Sequence, residues 1–226
     1  MKRHIVCFGD SNTHGHCADP TDTADGGVRF NEEERWPCLL QQLLGKEYLV
    51  IEEGLNGRTT IFEDPTCEGR RGMDSIYSCL VSHKPVDLLI LMLGTNDTKP
   101  RFGLCPEDIA GGMEQLVLLA KELPVWRTGN PEILIISPSH IRGTRDPAMY
   151  TKSAALAPAY QALAERNGCS FLDAEEICVF NKIDGTHLTA SAHRALAERL
   201  TDMIPELIKG EYLEVAKKSE NLNNSC

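Results

Sequence analysis

Gly9-Asp10-Ser11-Asn12 follows a short apolar run, Ile5-Val6-Cys7-Phe8. A serine where a strand ends can hold its hydroxyl at the sheet edge, and a helix starting there aims backbone N–H groups at nearby negative charge. A serine hydroxyl needs a base to become a nucleophile, and a neutral imidazole is the usual one. The imidazole in turn needs an acceptor that fixes its tautomer and stabilises its charged form. Asp184-Gly185-Thr186-His187 offers both groups in one tight turn. Gly94-Thr95-Asn96-Asp97 closes another apolar run, and an asparagine amide there can donate to a developing oxyanion. The N–H of Gly54, at the end of a further run, is a similar donor. Each segment alone is also ordinary turn or capping chemistry. Together they supply a nucleophile (Ser11), a base (His187), an orienting acid (Asp184) and three oxyanion donors, from Ser11, Gly54 and Asn96.

These residues work together only if the fold brings several strand ends to one place. Ile5–Phe8, Tyr48–Ile51, Asp87–Leu93, Glu132–Ser137 and Ser170–Asp173 read as five strands. The run DLLILML (Asp87–Leu93) is continuously apolar, as in strands buried on both faces. Helical spacing marks Trp36–Leu44, Met73–His83, Glu107–Leu123, Ala154–Asn167 and Thr189–Ile208. Pro106 suits a first helical turn, Gly168 a C-cap and Thr189 an N-cap. Pro205 is expected to kink or shorten the last helix. Strands alternating with helices predict right-handed crossovers and a parallel sheet covered on both faces, an α/β/α three-layer sandwich. Four long loops, Cys17–Glu34, Phe62–Gly72, Thr98–Pro106 and Ser139–Tyr150, follow the carboxyl ends of strands. Open α/β sheets bind ligands on that side. In a flavodoxin-like order, 2-1-3-4-5, the first three strands end side by side. Ser11, Gly54 and Asn96 then converge, and His187 approaches from the last loop.

The 226 residues suit one α/β domain, expected over 1–216, with a polar tail over 217–226 (KKSENLNNSC). The formal charge of −10 disfavours nucleic-acid and anionic-membrane partners. The N-terminal apolar run is too short for a signal segment, and no run approaches the length of a membrane span. Nine cysteines, an odd count without paired spacing, read as reduced thiols of a cytoplasmic protein.

The four segments resemble the signature blocks of the SGNH hydrolases, also called the GDSL-like lipase/acylhydrolase family. They occur in order across nearly the whole chain. The resemblance implies a flavodoxin-like fold, Ser11 as nucleophile, Asp184 and His187 as its partners, and Ser11, Gly54 and Asn96 as the oxyanion hole. It implies a small acyl-ester substrate and no metal or organic cofactor. VIEEGLNGRTT (Val50–Thr60), Asp64-Pro65-Thr66 and LMLGTNDTK (Leu91–Lys99) are similar to the arylesterase/acyltransferase branch, whose members act on short acyl esters and can form octamers. That likeness implies a homo-oligomer and a supporting place for Arg58 near the oxyanion hole. Where the branch commonly has leucine and then tryptophan after the nucleophile, this chain has Asn12 and His14, which is expected to put a polar ring near the acyl pocket.

Asp10 is read as a turn residue, because neighbours at a strand end point in opposite directions. Asp10 and Thr95 are expected to support the site beside Asn12, His14 and Arg58. His14 and His16 read as pocket-lining histidines more readily than as metal ligands, which would need a third donor such as Cys17 or Asp19. Trp36 reads as core, His193 as a surface or core residue, and Arg70-Arg71 as a solvated loop able to attract an anion. Two other functions fit the same elements. A carbohydrate deacetylase would use the same triad, with the Cys17–Glu34 loop receiving a sugar. A non-catalytic flavodoxin-like module would bind phosphate at the first turn, but the glycine-rich loop it needs is missing.

Overall fold

In the computed structural model, described over residues 1–142, 146–178 and 180–208, five parallel strands lie in the order β2-β1-β3-β4-β5. They are β1 (Arg3–Gly9), β2 (Tyr48–Gly54), β3 (Leu88–Met92), β4 (Ile133–Ser137) and β5 (Ser170–Asp173). The helices are α1 (Ser11–His14), α2 (Trp36–Leu44), α3 (Gly72–Ser82), α4 (Pro106–Glu122), α5 (Pro147–Asn167) and α6 (Ala190–Leu207). The fold is the expected α/β/α sandwich. The expected tail over 217–226 lies outside the described residues.

Side chains alternate across a strand with a period of two, and the core divides accordingly. Val6, Phe8, Leu89, Leu91, Ile133 and Ile135 face α3, α4 and α5. Ile5, Cys7, Leu88, Ile90, Leu134 and Ile136 face α2 and α6. All these residues are buried to within 1% of their surface. Covering both faces of the central strands in this way requires the continuous apolar runs seen in the sequence.

The helix boundaries fall within a residue of expectation except at α5. That helix starts at Pro147, not Ala154, because the Asp146 carboxylate caps it by accepting from Ala148 N–H at 2.8 Å and Pro147 occupies its first turn. It also runs through Pro158. Thr189 caps α6 as expected, accepting from Ala192 N–H at 3.2 Å, and the helix passes Pro205 to end at Leu207. Asp22, from the long loop after α1, adds a second cap by accepting from Ala190 N–H at 2.8 Å.

In register, Gly9 of β1 stands between Gly54 of β2 and Met92 of β3. The ends of the first three strands are therefore adjacent, and the residues just beyond them share one rim of the sheet.

Candidate active site

The chain leaves β1 through Asp10, whose carboxylate accepts from Asn12 N–H at 2.9 Å and caps the single turn α1. Ser11 is the first residue of that turn, so its own N–H has no intrahelical partner. Gly15 ends the turn with φ +84°, and the chain doubles back so that His16 N–H donates to Ser11 carbonyl at 2.9 Å.

The last loop meets this turn. Ser11 Oγ lies 2.9 Å from His187 Nε2, and His187 Nδ1 lies 2.5 Å from Asp184 Oδ2. The other Asp184 oxygen accepts from Thr186 N–H at 3.0 Å and His187 N–H at 3.1 Å. Burial pushes the Asp184 carboxyl up, but these hydrogen bonds outweigh it and hold the group at about 2, so it is ionised at neutral pH. An ionised acceptor fixes the proton on Nδ1 and leaves Nε2 free to accept from Ser11.

Asn12 joins the two segments. Its Oδ1 accepts from Leu188 N–H at 3.0 Å, and its Nδ2 donates to Thr186 carbonyl at 3.3 Å. Its own carbonyl accepts from Trp36 Nε1 at 3.2 Å. Asn12 is thus a buried clip and not a pocket residue. His193 lies deeper, accepting from Trp36 N–H at 3.2 Å, and complete burial pushes its pKa down to about 3. It is a neutral core residue.

A cleft of about 210 Å³ opens over Ser11 and is lined by Ser11, His16, Asn56, Gly57, Asn96, Lys99 and His187. Two expected placements are corrected here. Gly54 closes β2 with its Cα pressed against the backbone of His14, where a Cβ would overlap His14 N, and it does not line the cleft. Gly57 does. It is the third residue of a turn closed by Arg58 N–H donating to Leu55 carbonyl at 3.0 Å, and its φ of +81° suits glycine. Gly57 N–H has no protein partner among the described residues. The second correction concerns the polar ring. His16 lines the cleft and meets His187 edge-on at 4.4 Å between ring centres. His14 packs beside Gly54 and Arg35 instead.

Asn96 opens a 3₁₀ turn after β3. Its Oδ1 accepts from Lys99 Nζ at 2.6 Å, and its Nδ2 donates to Arg58 carbonyl at 3.0 Å, with a long 3.5 Å contact to Asp10 Oδ2. The ammonium on one side and the carbonyl on the other fix which end of the amide is which. Arg58 ties the ends of β1 and β2 together: its Nη1 donates to Gly9 carbonyl at 2.9 Å and to Glu53 carbonyl, and its guanidinium lies 4.0 Å from the Phe8 ring centre. Asp10 and Thr95 are buried beneath the cleft floor. Burial raises the Asp10 pKa.

Among the described residues, one cluster has the donor types of a metal site. Single ligand atoms of Glu53, Cys79 and His83 lie within 4.8 Å of one another. Burial, with Glu53 beside it, holds the Cys79 thiol up at about 12, which disfavours the thiolate a metal requires. None of the three lines the cleft.

A strand-end serine hydrogen-bonded to a carboxylate-held imidazole defines the class as an α/β serine hydrolase. The GDSL-like Lipase/Acylhydrolase family model matches residues 7–195, and the chain belongs to that family. The chain is similar to the aryl esterase of M. smegmatis, with 37% identity over 91% of this chain and 99% of that one and a TM-score of 0.82. It is also similar to a carbohydrate acetylesterase from Sinorhizobium meliloti, with 34% identity over 91% and 100% of the two chains and a TM-score of 0.82. A lipase/acylhydrolase from Enterococcus faecalis shares the fold at 18% identity, covering 89% of this chain and 95% of that chain with a TM-score of 0.63. Comparison with curated protein sequences finds no match. The protein is a serine ester hydrolase.

Proposed function

We propose that the protein hydrolyses short acyl, acetyl-type, esters through an acyl-enzyme formed on Ser11. The observation that carries this reading is the unbroken chain Ser11 Oγ–His187 Nε2–Asp184 Oδ2, at 2.9 and 2.5 Å, opening directly on the cleft. His187 takes the Ser11 proton as Oγ bonds to the ester carbonyl carbon. The carbonyl oxygen becomes an oxyanion and receives the N–H groups of Ser11 and Gly57 and the amide of Asn96. Gly57 takes the role first expected of Gly54, because it faces the cleft and Gly54 does not. His187 then passes its proton to the alcohol oxygen as that C–O bond breaks. In the second half, water loses a proton to His187 and attacks the acyl carbon, and Ser11 recovers its proton as the acid leaves. Each oxyanion donor of this kind contributes roughly 10²–10³ in rate.

Small-molecule esters are the substrates under this reading. The eight described cysteines are all free thiols, which supports a reducing, cytoplasmic setting. No helix among the described residues is long and apolar enough to cross a membrane. Assembly into a homo-oligomer follows from the family resemblance, and light scattering measures it.

The test is labelling and turnover. A fluorophosphonate should attach to the wild type and not to Ser11→Ala, and the variant should lose about 10⁴–10⁶ in kcat on p-nitrophenyl acetate. Full activity in Ser11→Ala would overturn the proposal.

A further inference from the structure

Beside the catalytic cleft lies a second hollow of about 280 Å³, lined by Asn56, Gly57, Asp64, Thr66, Cys67, Arg70, Lys99 and Arg101. Three of these residues, Asn56, Gly57 and Lys99, also line the catalytic cleft, so the two spaces adjoin. Three cations face the second hollow, against one carboxylate. That carboxylate, Asp64, is committed: it accepts from Arg101 Nη2 at 2.5 Å, and from Thr66 N–H at 2.9 Å and Thr66 Oγ1 at 2.7 Å. Arg101 holds it well below its ordinary range.

The other two cations make no direct ion pair among the described residues. Lys99 spends one hydrogen bond on the neutral Asn96 amide. Arg70 makes a side-chain bond to Cys67 Sγ at 3.3 Å and has no carboxylate partner among the described residues. The Arg70 guanidinium lies against Gly57, which lines both spaces: a Cβ on Gly57 would stand 3.2 Å from Arg70 Nη1. Burial and then Arg101 pull the Lys99 ammonium below its ordinary pKa, Asp64 and Asp10 oppose the shift, and Arg70 adds to it, so the three cations stand close enough to feel one another. This concentration of positive charge occurs in a chain of formal charge −10. A cleft lined by one sign of charge focuses its field and gathers ligands of the other sign. A guanidinium with free donors matches a carboxylate or phosphate oxygen pair.

We infer that the natural substrate is an acetyl-type ester of an anionic alcohol, whose carboxylate or phosphate group is held by Arg70 and Lys99 beside the catalytic cleft. The inference rests on the esterase reading above. An acetyl group is too small to reach beyond the cleft, so the part of the substrate that fills the second hollow is the alcohol. Arg101 lends charge but is already bound to Asp64, which leaves Arg70 as the arm with free donors.

The test compares acetate esters that differ only in charge, 3- and 4-acetoxybenzoate against the matching acetoxybenzamides. An acetylated phosphate-bearing phenol forms a further arm that separates carboxylate from phosphate as the anion. The wild type should favour one of the anionic esters by about tenfold in kcat/KM, the scale of a hydrogen bond to a charged group. Arg70→Gln should collapse that ratio toward one, and Arg70→Lys should restore part of it. Ratios near one for every wild-type pair, or a preference that Arg70→Gln leaves intact, overturn the inference while the esterase reading stands. If no ester is turned over, the esterase reading fails separately. Calorimetric binding of 4-acetoxybenzoate and 4-acetoxybenzamide to Ser11→Ala then decides: tighter binding of the anion, lost on adding Arg70→Gln, supports the basic site, and equal binding sinks it.

Discussion

One wall of the cleft carries Ser11, His16 and His187, and the facing wall carries Asn56, Gly57, Asn96 and Lys99. The first wall is closed by hydrogen bonds between segments about 175 residues apart, with Asn12 clipped to Thr186 and Leu188 and anchored below on Trp36. The second is built from two short turns, and its outer part is lined by cations that only one carboxylate answers. Preorganised hydrogen bonds give a fixed geometry, which suits the bond-making step. Free cations give a field and adaptable donors, which suit recognition. The comparison therefore separates residues whose loss should lower the rate on every ester from residues whose loss should change which ester is preferred.

The sharpest attack on the closed wall is Asp184→Asn. The amide keeps an oxygen for the N–H groups of Thr186 and His187 but presents an NH₂ to His187 Nδ1, forcing the proton to Nε2, where it cannot accept from Ser11. We expect kcat on p-nitrophenyl acetate to fall by about 10⁴ with the fold intact by circular dichroism. A loss below tenfold would remove Asp184 from the mechanism.

Asn12→Ala tests the clip itself. It leaves Leu188 N–H without its acceptor, and a buried unpaired donor costs about 1–3 kcal/mol. The melting temperature should drop, and kcat should fall about tenfold as the His187 loop loosens from Ser11. Asn12→Asp keeps the acceptor for Leu188 N–H but sets a buried carboxylate oxygen against the Thr186 carbonyl, so it should recover little of the stability. If Asn12→Ala melts normally and turns over normally, the closed wall does not depend on the clip.

The layered fold was legible because both faces of the central strands are covered, so their runs are apolar without a break. The meeting of Ser11, His187 and Asp184 was legible because each sits where a strand or loop ends and the three residue types suit one hydrogen-bonded chain. Gly54 was misplaced because two glycines lie three residues apart at the end of β2. Only the turn after the strand, with Gly57 at φ +81°, decides which one reaches the cleft. His14 and His16 were separable only through the reversal at Gly15, which returns His16 to Ser11. Asn56-Gly57 is a recognisable turn signal, and Lys99 follows Asn96 at the spacing of one 3₁₀ turn. Both were therefore available as clues. That Arg70 reaches Gly57 was not, because it depends on how the Phe62–Gly72 loop folds back, and nothing periodic in the sequence records that.

The gentlest probe of the comparison is salt. Interactions between partly exposed charges weaken as ionic strength rises, with a screening length of about 10 Å at 0.1 M and about 3 Å at 1 M. The short contacts Ser11–His187–Asp184 lie well inside that range, and salt should barely alter kcat on a neutral aryl acetate. Attraction of an anionic ester to Arg70 and Lys99 acts over a longer reach at an open surface. Its kcat/KM should fall by roughly three- to tenfold between low salt and 0.5 M sodium chloride, mostly through KM. Running both esters in the same salt series cancels general effects on the enzyme, so the ratio of the two slopes reports the second wall alone. Parallel slopes would mean that the cations are screened or occupied in solution, and the two walls would then differ in architecture but not in what they do to a substrate.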